Sequence, residues 1–304
     1  MNQTSHFIGS GNFFNNMGSN VREGMLNEIA EWMISGCEYY DSGFNCKDFN
    51  TIEGVKSVLV VGDDKKLHYK HSSYYSYLRI FINKKTPSIP SSLIIGKDIC
   101  VELVFNGVSQ KRMDEWKNRL SGVYISRLSL NNCKIDNWNW LNDIQDHIGE
   151  LTIAGTSIPN GFNGFNHKVN YFIRVRECDI ENLDNFPTMS SDTEVNIISC
   201  PKLSSISGLA DRNNYFSVLN IEDCSNISCT KNLNRIHIKT LYIHDVVIRR
   251  MLQNGDLLGS VTKYITILVY TRRDYDETNM YIRELYERYP YAFIIISARK
   301  LCSL

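Results

Sequence analysis

The chain has 304 residues, 43% of them hydrophobic and 22% charged, a composition typical of a soluble folded protein and too apolar for wholesale disorder. Its 33 lysines and arginines balance 33 aspartates and glutamates, which removes the electrostatic basis for nucleic-acid binding or adhesion to anionic lipid. No apolar run of about 18 residues occurs, and the first residues lack the order of a secretory signal. We therefore expect a cytoplasmic protein without a membrane span.

The cysteines and the known short motifs indicate no site for catalysis. Nine cysteines are spread along the chain without a Cys-x-x-Cys pair and without histidines at zinc-ligand offsets. We expect reduced thiols, no metal and no cofactor. No nucleotide-binding, serine-hydrolase or zinc-protease motif is present, so the sequence predicts no enzyme.

The first predicted elements lie in residues 1–54. Residues 1–19 are rich in Gly, Asn and Ser and predict a flexible arm. Asn20, a favourable N-cap with Glu23 three residues later, begins an amphipathic helix that ends at Gly36. We interpret residues 20–54 as an N-terminal helical cap, because the end of a stacked structure must cover its apolar core.

A short sequence motif, called the phrase below, is then repeated along the chain. Each copy has two apolar residues two positions apart and a small residue five positions after the first. The clear copies begin at Leu128, Leu151, Ile173, Val195, Leu219 and Leu241, at steps of 23, 22, 22, 24 and 22 residues. A fixed period in this range indicates a solenoid. Toward the N-terminus, further copies begin at Val101, Leu78 and, weakly, Val58, at looser spacing, and downstream Ile265 continues the frame at a step of 24.

Each phrase predicts a short strand, because side chains alternate along a strand and the first and third residues would point inward. Where the chain turns away, a small residue with a donor would satisfy backbone groups inside the stack. The residues at this position are Asn83, Asn106, Cys133, Thr156, Cys178, Cys200 and Cys224. Apolar residues at intervals of three then predict a short helix or 3₁₀ turn.

Residues 271–304 predict a C-terminal cap made of a helix and a strand. The helix spans Asp276 to Tyr289 and precedes Pro290, and Phe293 to Ile296 form the last strand.

The phrases between residues 55 and 270 resemble the leucine-rich repeat family, most closely its internalin-like and cysteine-containing forms. The resemblance implies an α/β solenoid: a curved parallel β-sheet with short helices or 3₁₀ turns on its convex side. It also implies a noncatalytic module that binds another protein through its concave strand face. An irregular β-rich domain with coincidental alternation is the alternative.

The outward residues of successive strands supply the candidate binding site. Arginine and tyrosine are frequent interface anchors, and by alternation the His244 side chain should point outward into solvent. The partner-binding candidates are Arg174, Arg176, Asn196, Asn220, Glu222, Tyr242, His244 and Tyr264.

Two other functions stay open at this stage. The chain is an adaptor or assembly component if the helix of residues 20–36 docks on a larger complex. Its few alanines are compatible with an AT-rich genome, and thus with a virus-encoded protein that acts on a host protein. An enzyme with an unrecognised site is the third reading, which a deep pocket with converging polar groups would reveal. The sequence leaves the oligomeric state open.

Overall fold

A computed structural model describes residues 19–40, 52–69, 77–212 and 215–298. The arm expected over residues 1–19 lies outside this part of the chain, except for its last residue. The described residues divide into two compact units: unit 1 runs to Cys133 and includes Asn139–Ile148, and unit 2 comprises Lys134–Trp138 and the residues from Gly149 onward.

The described residues of unit 1 form three α-helices, a 3₁₀ helix, six complete strands and the first two residues of a seventh. Its sheet has the order β1-β4-β5-β6, in which β1 pairs antiparallel with β4 and the others are parallel. Strands β2 and β3 form a separate antiparallel pair. The elements are α1 (Ser19–Gly36), β1 (Cys37–Tyr40), α2 (Ile52–Val58), β2 (Leu59–Val61), β3 (Leu67–Tyr69), β4 (Tyr77–Asn83), β5 (Cys100–Asn106), α3 (Gln110–Asp114) and β6 (Ile125–Asn131).

Unit 2 is a parallel sheet in which the strands follow one another in sequence order from β7 to β13. Its elements are β7 (His147–Ala154, of which the first two residues belong to unit 1), β8 (Lys168–Arg176), β9 (Glu194–Ile198), β10 (Tyr215–Glu222), β11 (His237–His244), α4 (Asp245–Asn254), β12 (Ser260–Val269), α5 (Arg272–Arg288) and β13 (Phe293–Ala298). The fold is therefore α/β with ten parallel strands and few helices, and it is not closed into a barrel.

The predicted inward positions form one aligned file in unit 2. Ile173 pairs with Val195, Val195 with Leu219, Leu219 with Leu241, and Leu241 with Ile265. All five side chains are buried, as are the inward residues two positions later. Burial of each such aliphatic side chain contributes about 1.5–3 kcal/mol, which is why the period of the apolar residues predicts the strands correctly.

The connections between strands are stacked as well. The connections after β7, β8 and β9 each make a second parallel contact with the connection of the next repeat. Examples are the hydrogen bonds from the Ile158 amide to the Asp179 carbonyl at 3.2 Å and from the Ile206 amide to the Cys229 carbonyl at 3.1 Å. The expected short turns are 3₁₀ helices at Asn139–Leu141, Ser207–Ala210 and Leu233–Arg235.

The small residue at the end of each phrase occupies the predicted position. Thr156, Cys178, Cys200 and Cys224 are buried in unit 2, and each side chain donates to the carbonyl two residues earlier, at 2.9–3.5 Å. Hydrogen bonding with Cys200 and burial raise the pKa of the Cys178 thiol, so it stays protonated as a donor. The six cysteines whose side chains are described are free thiols.

The residue before the closing position of the phrase adopts a left-handed conformation in six of the repeats. Its φ lies between 52° and 66° at Gly107, Asn132, Gly155, Glu177, Ser199 and Asp223. Within the units its amide reaches the next strand, as from Gly155 to the Arg176 carbonyl at 2.9 Å. Because three of the six residues are neither glycine nor asparagine, the sequence pattern does not display this turn.

Two parts of the N-terminal repeat frame are wrong. Leu103, and not Val101, lies opposite Leu128; Val101 pairs with Ile125, and the register shifts between Val101 and Glu102. Asn106 therefore pairs with Asn131 and does not occupy the small-residue position of its repeat. The buried Val108, which follows the left-handed Gly107, occupies that position instead. Asn83 is displaced in the same way, since it pairs with Asn106.

The phrase at Val58 is not a repeat. Val58 ends α2, and the strand that follows pairs antiparallel with β3 outside the parallel sheet. Alternation over five residues cannot separate a parallel rung from an antiparallel hairpin strand, because both show the same period.

The terminal elements form where the sequence predicts them. Helix α1 buries Ile29, Trp32 and Met33 in unit 1, and the Trp32 indole donates to the Pro87 carbonyl at 3.1 Å. Helix α5 begins four residues earlier than expected, because Thr271 and Asp274 form a reciprocal capping box. Among the described helices, none combines the length and apolarity needed to cross a bilayer.

Candidate functional site

The outward side chains of β8–β13 form a surface that we call the strand face. Its central row takes one residue from each of six neighbouring strands. These residues are in register in the order Arg174, Asn196, Asn220, Tyr242, Thr266 and Ile295. The inward neighbours of the row belong to the buried aliphatic file, so the backbone that carries it is fixed by the core.

Asparagines hold the centre of the row rigid. The Asn220 amide group donates to the Asn196 side-chain oxygen at 3.1 Å, and Asn196 donates to the Glu194 carboxylate at 2.9 Å. Asn196 is buried by these neighbours, whereas Asn220 is half-buried. The Asn220 side-chain oxygen is buried and accepts no hydrogen bond from the described residues.

Strand β8 makes one end of the strand face basic. Arg174 and Arg176 are both exposed. The Arg174 guanidinium lies 4.9 Å from the centre of the Phe172 ring, and Arg176 pairs with Glu177 at 2.8 Å. Both arginines are thus oriented by neighbours, which lowers the entropy lost when a partner binds.

Strands β11–β13 make the other end aromatic. Tyr242 and Tyr264 are partly exposed, and the Tyr264 ring lies 5.9 Å from the Phe293 ring. Phe293 and Ile295 of β13 extend this apolar area, being 70% and 47% exposed. The sequence predicts a strand that begins at Phe293, but it does not place Phe293 or Ile295 on the predicted binding surface. The reason is that α5 lengthens the step between the paired residues Tyr264 and Phe293 to 29 residues. Their alternation with Ile294 and Ile296 gives no signal, since all four are apolar.

His244 is not a solvated outward residue, contrary to expectation. It is only 7% exposed, its ring lies 4.7 Å from that of Tyr270, and its Nε2 is 3.3 Å from Asp245 Oδ1. Burial lowers the pKa of His244. The physical reason is local: β11 runs directly into α4, so His244 is the N-cap residue of a packed helix and not a member of an open strand. Of the eight predicted contact residues, His244 and Asn196 are the two that are buried.

Asp245 and Arg249 form a buried ion pair of unit 2. Asp245 has no exposed side-chain surface, and Arg249 reaches it at 2.7 Å while also pairing with Glu277. Burial raises the pKa of Asp245, although the charge of Arg249 opposes this shift. An open cavity of about 230 Å³ lies beside the pair, lined by Arg249, Leu252, Gln253, Tyr281 and Glu284. Because Arg249 is already bound to two carboxylates, it is a structural group of the α4–α5 contact.

Unit 1 contains a histidine held between two aspartates. His68 Nδ1 is 2.8 Å from Asp98, and its Nε2 is 2.9 Å from Asp64. The hydrogen bond with Asp98, reinforced by that with Asp64, raises the pKa of His68. Burial acts to raise the pKa of Asp98, but its hydrogen bonds, above all that from His68, and the charge of His68 together outweigh burial and lower the pKa of that carboxyl. Since both ring nitrogens are occupied, this cluster stabilises the β2–β3 region and offers no open base.

Metal binding finds no support in the part of the chain that the structure describes, where no group of three or more His, Cys, Asp or Glu side chains could hold an ion. No protein-family model, curated protein or solved structure matches the chain. The functional interpretation therefore rests on the residues of the strand face themselves.

Proposed function

We propose that the protein is a noncatalytic binding module of the leucine-rich-repeat type, in which the strand face is the concave surface that recognises another protein. Arg174, Arg176, Tyr242 and Tyr264 are the anchors of this surface. Asn220 and Glu222 add polar contacts, and the buried Asn196 supports them.

The observation that carries this proposal is the central row of the strand face. Arg174, Asn196, Asn220 and Tyr242 come from four consecutive strands, and their pairing places them side by side. Strands in a sheet lie about 4.8 Å apart, so these four residues span about 15 Å of rigid surface. A platform of this kind binds without ordering a loop, and so retains more of its interaction free energy.

The chemistry of the surface favours a protein partner of mixed polarity. Basic groups stand on β8, amides and carboxylates on β9 and β10, and aromatic rings on β11 and β12. Such a sequence of side chains suits a partner that presents acidic, polar and apolar groups in that order. A nucleic-acid backbone, which needs cations along its whole length, suits it poorly.

Affinity capture with matched variants tests this proposal. The variant Arg174→Ala/Arg176→Ala/Tyr242→Ala removes two basic side chains and one tyrosine from the strand face. The control Lys231→Ala/Arg235→Ala/Tyr286→Ala removes the same types of exposed residue from a loop, a 3₁₀ helix and α5. We expect a protein that is retained by the wild type and by the control, and lost from the strand-face variant. Identical sets of captured proteins for all three chains would reject the strand face as the binding site.

A further inference from the structure

Strand β13 is an unprotected sheet edge. Among the described residues it pairs with β12 on one side and with no strand on the other. Its six residues, Phe-Ile-Ile-Ile-Ser-Ala, contain no charge and no proline, and their register with β12 runs without a bulge. Charged residues, prolines and bulges are the devices by which monomeric proteins prevent an edge from pairing with another chain. All three are missing from β13.

The side chains at this edge are also apolar and exposed. Phe293 and Ile295 project from the outward side of β13, and Tyr291, two residues before Phe293, is 85% exposed. Monomeric soluble proteins rarely leave such residues together at one sheet edge, whereas interfaces are enriched in them.

We propose that β13 pairs antiparallel with β13 of a second copy of the chain, about a twofold axis perpendicular to the sheet. In this arrangement Ile295 lies opposite Ile295 of the second copy, and Phe293 lies opposite Ser297. Opposed residues of an antiparallel pair point to the same face, so Phe293 and Ile295 of both copies join in one apolar cluster.

Self-pairing fits this edge because the segment is its own complement. No like charges are brought opposite one another, since β13 has none. A twofold contact uses the same patch on both copies and closes on itself, so it removes the two edges and leaves no further edge of this kind for growth.

The available area sets the strength of the association. Tyr291 and Phe293 together offer about 300 Å² per copy, taking 150–250 Å² for a whole aromatic side chain. Stable dimers bury about 800 Å² per partner. Even with the backbone hydrogen bonds of the strand pair, the dimer is therefore small, and it dissociates reversibly in the micromolar range.

Sedimentation velocity of the full chain tests the dimer directly. Measurements run from about 1 µM to about 500 µM, which brackets the affinity expected of a small interface. A reductant keeps the nine cysteines from forming a covalent dimer. We expect the wild type to change from monomer to dimer across this range.

Lysine substitutions locate the interface. Ile295→Lys places two cations opposite each other at the axis and should raise the dissociation constant about tenfold or more; Phe293→Lys is a second variant at a more exposed position. The control Val21→Lys changes an exposed apolar residue of α1 and should associate as the wild type does. Thermal melting confirms that each variant is folded.

Hydrogen exchange supplies an independent readout. The amides of residues 293–298 should become more protected as the wild-type concentration rises. A monomer at every concentration overturns the proposal, as does a dimer that Ile295→Lys and Phe293→Lys leave intact. Neither result affects the proposed function, because Arg174, Arg176 and Tyr242 lie on other strands; conversely, the strand-face alanine variant should still dimerise.

Discussion

The buried ion pair of α4 allows a sharp test of the packing described above. Unit 2 contains two arginine–carboxylate pairs with the same sequence spacing of four residues and the same separation of 2.7 Å: Asp245 with Arg249, and Arg273 with Glu277. They differ in burial, because Asp245 has no exposed side-chain surface, whereas the Arg273 side chain is 87% exposed.

Replacing Arg249 by methionine keeps most of the side-chain volume and removes the charge. Breaking a buried pair in this way typically destabilises a protein by 3–5 kcal/mol, because the remaining charge has no compensating partner. Since the Arg249 side chain is itself 26% exposed, water can partly replace it. We therefore expect Arg249→Met to lower the free energy of unfolding of unit 2 by about 3 kcal/mol. Arg273→Met removes an exposed partner and should cause no measurable loss.

The loss of stability caused by Arg249→Met should also depend on pH. Burial already raises the pKa of Asp245, and removing the opposing charge of Arg249 raises it further. The folded state of the variant then holds a proton more tightly than the unfolded chain, whose aspartates titrate near 3.9. Stability relative to wild type therefore improves as the pH falls from neutrality toward that value, so the deficit is largest at neutral pH.

Chemical denaturation of wild type, Arg249→Met and Arg273→Met at neutral pH and at about pH 5 measures both effects. The transition of unit 2 is fitted separately if the two units unfold independently. The double variant Asp245→Asn/Arg249→Met should recover part of the loss, because it leaves no buried charge. Equal losses for the two arginine variants, or a deficit that does not change with pH, would refute the assignment of Asp245 as a desolvated carboxylate.

Two further predictions concern a histidine and a pair of glycines. Because the pKa of His68 is raised, its interaction with the two aspartates is complete below its usual pKa near 6.5 and is lost as the pH rises through the folded value. The melting temperature of the wild type should therefore fall over this pH range, and that of His68→Gln should not. Identical pH profiles for the two proteins would contradict the assignment of His68 as the titrating group. Gly208→Ala places a Cβ 2.0 Å from the Leu183 carbonyl oxygen and should destabilise unit 2 by about 3 kcal/mol. In α1, no atom lies within 4 Å of a Cβ added at Gly24, so Gly24→Ala should stabilise the protein by about 0.5–1 kcal/mol. Similar denaturation midpoints for Gly208→Ala and Gly24→Ala would show that the close approach at Gly208 is absent.

The strands of unit 2 could be predicted because their signal is periodic and tied to burial. Ile173, Val195, Leu219 and Leu241 recur at nearly constant steps and are all buried in one file. A strand register that exposed one of these side chains would lose its free energy of apolar burial. The period of the apolar residues in the sequence therefore matches the register of the strands in the sheet. Where the repeat is less regular, as at Val101, the predicted frame is two residues off, since Leu103 lies opposite Leu128. A displacement by two residues keeps the same alternation, so alternation cannot detect it.

The strand face was only partly predictable from the sequence. Arg174 and Tyr242 lie on the strand face as alternation predicts, because they belong to uninterrupted strands. His244 does not, since the helix that follows covers the end of its strand. Phe293 and Ile295 join the same face only through the pairing of β13 with β12, across a connection that contains the whole of α5.

The amino-acid sequence by itself determines the period, the inward file and the small residue that closes each phrase, because each of these follows from local alternation and side-chain size. Only the tertiary structure decides which outward side chains remain accessible and which strand ends the sheet. Those properties depend on what packs over a residue from elsewhere in the chain, as α4 and Tyr270 do at His244 and as no described strand does at β13. Accessibility is a property of neighbours in space, which a period along the chain does not encode.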